Sequence, residues 1–132
     1  MRAGVQKLFA SIGSDGCYAL CIVELGQRGR PDRESVDIIE QGIQLGVLRE
    51  DMYVLDASKL MSLSRGEHWS CTHEEAGYKA LPGELVVERW ERTTPQGKIY
   101  SHFVLTDWDP LGDSETKKHG KCVSKRVFRR VQ

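Results

Sequence analysis

The feature that most constrains the fold is a nearly unbroken apolar run, Cys17-Tyr18-Ala19-Leu20-Cys21-Ile22-Val23-Glu24-Leu25. Gly13-Ser14-Asp15-Gly16 introduces it and Gly26 follows it. Ser14 or Asp15 can accept hydrogen bonds from the free amides of a first helical turn. Gly26 suits the left-handed position just past a helix end. The pattern predicts a helix over residues 16–25. A helix that is apolar nearly all round has no face to give to solvent, so it belongs at the centre of a domain. Cys17 falls in its first turn, where free N–H groups and the helix dipole favour a thiolate.

The rest of the chain can bury such a helix. With 132 residues, 39% of them hydrophobic and 29% charged, the sequence is expected to form one globular domain, residues 1–132, with its own core. Lys plus Arg equals Asp plus Glu at 19 each, so net charge gives no sign of a nucleic-acid or membrane partner. The segment from Lys117 to Arg130 is basic, as expected of a strand with a solvated face. Met1-Arg2-Ala3-Gly4-Val5-Gln6-Lys7 lacks the apolar centre of a signal peptide, and no apolar run approaches the roughly 20 residues of a membrane span. A cytoplasmic protein with reduced thiols is therefore expected. Cys17 and Cys21 lie one helical turn apart, a poor placement for a disulfide.

Around the central helix the pattern predicts helices first and strands second. Residues 1–12 carry Val5, Leu8, Phe9 and Ile12 as a lead-in that docks on the core. A second helix over 32–46 is capped by Asp32 and stopped by Gly46, with Val36, Ile39 and Ile43 at helical spacing. Asp56 caps a third over 56–63. Strands are expected over 67–73, 84–90, 99–105 and 122–131, with a hairpin connection at Thr94-Pro95-Gln96-Gly97 and a turn at His119-Gly120. This order makes an α+β domain with a mostly antiparallel C-terminal sheet.

Nucleophilic cysteine chemistry needs a thiol, an imidazole within reach of it and a third group to orient the ring. The sequence supplies Cys17 on an early helix, His102 on a late strand, and Asp107 and Asp109 just after it. Parity separates the two acids. If Thr106-Asp107 is the tip of a tight hairpin, Asp109 lies opposite Val104, on the face that carries His102. Asp109 is preferred on this ground and Asp107 is held second.

Gly16-Cys17-Tyr18 opening a buried helix, Ser101-His102-Phe103-Val104 on a strand and Asp109-Pro110-Leu111-Gly112 after it resemble the papain-like cysteine peptidase superfamily. Within it they are most similar to the small bacterial and phage C39-like peptidases. The resemblance implies a papain-like fold and hydrolysis of amide bonds in a peptide or protein substrate. Cys17 would be nucleophile, His102 base and Asp109 the orienting acid, with no metal or organic cofactor. A working nucleophile would show a lowered thiol pKa, in the ~3.5–7.5 range. The chain departs from the family pattern in three places. Tyr18 stands where a second glycine is usual, the interval from His102 to Asp109 is short, and the oxyanion glutamine is not at its usual distance upstream. Oxyanion candidates are then the Cys17 amide, Gln6 and Ser11, with Ser14 nearer still. Tyr18, His68 and Trp69 are candidates to line a substrate cleft, and Asp113 and Ser114 to shape the loop beside it.

Other readings compete. His68, Cys71 and His73 are zinc-ligand types, but no C-x-x-C partners them and a strand would put the two histidines on opposite faces, so no metal is assigned. Cys21, Cys71 and Cys122 are read as structural, and Trp90 and Trp108 as packing. A papain-like interaction module without turnover, such as a phage or plasmid accessory protein, would carry the same pattern. A winged-helix nucleic-acid binder is less favoured, because the helix over 56–63 holds one lysine and is short for a major groove.

Overall fold

Helix α1 spans Ser14–Gly29 in the computed structural model, which describes residues 14–110, 112 and 115–132. The expected caps at Ser14 and Asp15, the lead-in over 1–12, and Leu111, Asp113 and Ser114 lie outside the described residues or side chains. Ala19, Leu20, Cys21, Ile22 and Val23 are each 0% exposed, so α1 is covered on every side and forms the axis of the core. It does not stop at Gly26, as the sequence suggested. Helix α2 is Ser35–Gln44 and α3 is Ala57–Arg65. Gly26 lies inside α1 where α3 crosses it, and a Cβ there would collide with the side chain and backbone of Ser64. The glycine is used for close helix approach instead of termination.

The second helix is shorter than expected at both ends. Its N-cap is Glu34, in extended conformation and without a side-chain cap bond, and not Asp32. Residues 31–33 are held in a turn by Arg33 N–H donating to the Arg30 carbonyl at 3.2 Å, while the Arg33 guanidinium reaches the Leu63 carbonyl at 2.7 Å. The third helix starts as expected, with Asp56 accepting from the Lys59 amide at 3.0 Å.

Strands β1 (His68–Glu75), β2 (Leu85–Thr93) and β3 (Ile99–Val104) follow, then the short helix α4 (Glu115–His119) and β4 (Lys121–Val131). Helix α4 takes the place of part of the expected approach to the His119-Gly120 turn. All pairings are antiparallel and the order is β1-β4-β2-β3. The basic final strand is therefore internal, with β1 on one side and β2 on the other. Strand β3 is an edge, and α1 runs beside it. The Cys21 thiol donates to the Phe103 carbonyl at 3.5 Å, and the Tyr18 ring stacks on Phe103 with centroids 4.6 Å apart. The described structure is thus an α+β arrangement of helices against a four-stranded antiparallel sheet. No described helix is long and apolar enough to cross a membrane.

Candidate active site

The site grows out of the segment that follows β3. Leu105 and Trp108 form an isolated antiparallel bridge, the Leu105 amide donating to the Trp108 carbonyl at 2.8 Å. Thr106 and Asp107 are left as a two-residue tip. Asp109 comes directly after this bridge, where the chain has folded back beside the end of β3. The side chains meet there, with His102 Nε2 2.7 Å from Asp109 Oδ1. His102 is 5% exposed overall, so the pair is shielded from water.

A carboxylate accepts, so the ring nitrogen facing it carries the hydrogen. With Nε2 committed to Asp109, Nδ1 is the nitrogen that can take a proton. The hairpin is fastened from two sides. Arg28 near the end of α1 pairs with Asp107 at 3.0 Å, and the Lys117 ammonium donates to the Leu105 and Thr106 carbonyls at 3.2 and 3.1 Å. Asp107, whose side chain is 68% exposed, is thereby an anchor for the tip and does not orient His102.

Cys17 closes the first turn of α1 and is 1% exposed. Its thiol is pushed up to about 12, first by burial and then by the nearby negative charge of Asp109. The sequence led to the opposite expectation, a lowered value. The helix dipole contributes up to ~2 kcal/mol in favourable sites. A rise of this size corresponds to about 4 kcal/mol against the thiolate, so desolvation wins. Asp109 therefore couples to both members of the proposed pair, by a hydrogen bond to His102 and through space to Cys17. No hydrogen bond joins Cys17 to His102 among the described residues.

The remaining sequence candidates fall in different places. Tyr18 does not line an open cleft. Its ring lies on Phe103 and its hydroxyl is 3.9 Å from the Cys71 sulfur. Trp69 is 7% exposed and its indole donates to the Gly66 carbonyl at 2.9 Å, beside Gly29 at the far end of α1. Gly29 lies twelve residue steps along the helix from Cys17, a rise of about 18 Å. Trp69 and the exposed His68 at the start of β1 are therefore outside the site. Gln6 and Ser11 lie outside the described residues. Cys17, Cys21, Cys71 and Cys122 are all free thiols. Among the described residues no group of three or more His, Cys, Asp or Glu side chains is placed to hold a metal.

Sequence reading missed a cationic row beside the Tyr18–Phe103 stack. Arg126 stands over the Phe103 ring, with its Cζ 5.6 Å from the centroid. By register it shares a sheet face with Arg89 and His73. Burial, then the two guanidiniums, hold the His73 imidazole below its usual range. The three side chains meet only through the pairing of β4 with β1 and β2, which no local signal in the sequence carries.

A protein-family model described as "Protein of unknown function, DUF261" matches residues 1–130 of the chain. No curated protein and no solved structure matches it.

Proposed function

The chain belongs to the DUF261 family, and from the chemistry of its site we propose that it is a papain-like cysteine hydrolase of amide bonds in peptides or proteins. The observation that carries the reading is the buried His102–Asp109 pair, joined through Nε2 at 2.7 Å, with Cys17 close enough for its thiol to feel the Asp109 charge. The order of a cysteine on the central helix, a histidine on the edge strand and an acid beyond it supports the same reading.

The high thiol pKa dictates the form of the mechanism. The resting site holds a protonated Cys17 thiol, without a preformed thiolate–imidazolium pair. On attack, the Cys17 proton passes to His102 Nδ1 as sulfur bonds to the substrate carbonyl carbon. Asp109 stabilises the imidazolium that forms. Collapse breaks the C–N bond, and His102 returns the proton to the departing amine. Water, deprotonated by His102, then hydrolyses the thioester and restores the thiol.

One observation favours a second reading. At 1% exposure, Cys17 meets a substrate only after the site opens. A papain-like interaction module that has kept the fold and lost turnover would keep it closed. Incubation with p-nitrophenyl acetate, followed by peptide mapping, separates the two. The hydrolase acetylates on Cys17, releases p-nitrophenolate, and slows by a factor of order 10²–10⁴ in His102→Ala, the usual weight of a general base. A native chain that leaves Cys17 unmodified while accessible lysines acetylate is the interaction module.

A further inference from the structure

We infer that the cavity where the C-terminal ends of α1 and α3 meet β1 and β4 is a binding site for a small phosphate-bearing molecule. The cavity measures about 850 Å³, within the size range of small-molecule sites. Four arginines line it, Arg30, Arg65, Arg129 and Arg130, against two glutamates, Glu67 and Glu84.

The arginines are not equivalent. Arg129 is occupied, donating to Glu84 and, at 2.9 Å, to the Tyr78 hydroxyl. Arg130 meets Glu67 at 3.4 Å. Arg65 spends one N–H on the Leu25 carbonyl at 2.8 Å, and its Cζ lies 5.6 Å from the centre of the Trp69 ring. Arg30 makes no side-chain hydrogen bond or ion pair among the described residues. Two guanidiniums thus bring spare donors to one concave surface, and the surplus of two positive charges matches a dianion such as a phosphate monoester better than a carboxylate. Planar guanidinium forks bind phosphate oxygens in pairs.

The backbone is shaped to hold this arrangement. Gly66, at φ 83°, ends α3 in a conformation that side chains rarely adopt, and a Cβ there would stand 3.2 Å from Arg30 Nη1. The glycine lets Arg30 lie against the turn next to Arg65. Neutralising two helix C-termini explains why Arg65 is there, since it caps a carbonyl of α1. It does not explain Arg30, which caps none.

The test is calorimetric titration of the full chain with phenyl phosphate at low salt, with inorganic phosphate and benzoate as comparators. Saturable one-to-one binding of phenyl phosphate is expected. Arg30→Gln should weaken it at least about tenfold, or 1.4 kcal/mol, without lowering the melting temperature of the free protein. Arg28→Gln removes an equal charge from α1 outside the cavity and should leave binding intact, as should Cys17→Ala, which separates this site from the proposed hydrolase. Equal binding of inorganic phosphate still supports a phosphate site and assigns the organic part no role. Absence of saturable binding, equal affinity in Arg30→Gln, an equal loss in Arg28→Gln, or benzoate binding as tightly as phenyl phosphate would each overturn the proposal.

Discussion

Asp109 acts on two groups in opposite senses: its Oδ1 holds His102 Nε2 at 2.7 Å, while its charge raises the Cys17 thiol. One carboxylate both holds the imidazole and disfavours the free thiolate. In the proposed hydrolase, Cys17 therefore has to lose its proton during attack.

Asp109→Asn therefore separates the two effects. Removing the negative charge lowers the Cys17 pKa, so the thiol alkylates faster at a given alkaline pH. Loss of the same charge removes the stabilisation of the imidazolium, so acetylation by p-nitrophenyl acetate slows by about 10²-fold or more. Asp107→Asn should leave both rates unchanged. It removes an exposed pair with Arg28 worth less than about 1 kcal/mol, visible at most as a small, salt-sensitive fall in melting temperature. Alkylation and acetylation rates of the two variants, measured side by side, check this.

Gly26→Ala should destabilise the fold although alanine is the better helix former by about 1 kcal/mol. The added methyl meets both the side chain and the main chain of Ser64, so no rotamer change relieves it. Overpacking of this kind costs about 1–3 kcal/mol. Denaturant unfolding reads the loss, and the double variant with Ser64→Gly should recover part of it.

Asp56→Ala removes the α3 cap, with an expected cost of about 1 kcal/mol at neutral pH. The hydrogen bond from the Lys59 amide, more than any other contact, holds the Asp56 carboxyl below its ordinary range when folded. A depressed folded pKa gives stability that is present above the unfolded pKa of about 3.9 and is lost as pH falls through the folded value. The gap in melting temperature between native and variant should thus narrow on acidification below about pH 4.

The parts legible in the sequence were local. Two-residue parity across Thr106-Asp107 selected Asp109 over Asp107, and the Asp56 cap and the strand positions followed from side-chain chemistry within a few residues. What escaped depended on distant partners. Gly26 reads as a helix end unless Ser64 is known to press on it. The first-turn position of Cys17 suggests a low pKa until burial and Asp109 are weighed. Trp69 and His68 are near Cys17 neither in sequence nor in space, because α1 is long enough to carry Trp69's neighbour Gly29 about 18 Å away. The insertion of β4 between β1 and β2 is a non-local pairing that no stretch of sequence announces.

The most direct test of the hydrolase is the pH profile of iodoacetamide labelling at Cys17, followed cysteine by cysteine in the native chain and in His102→Ala. Labelling of native Cys17 should titrate well above the ~8.5 of a free thiol. Its neutral-pH rate should fall at least about tenfold when His102, its proposed proton acceptor, is removed. Superimposable profiles for the two proteins would contradict the coupling of Cys17 to His102 and, with it, the hydrolase.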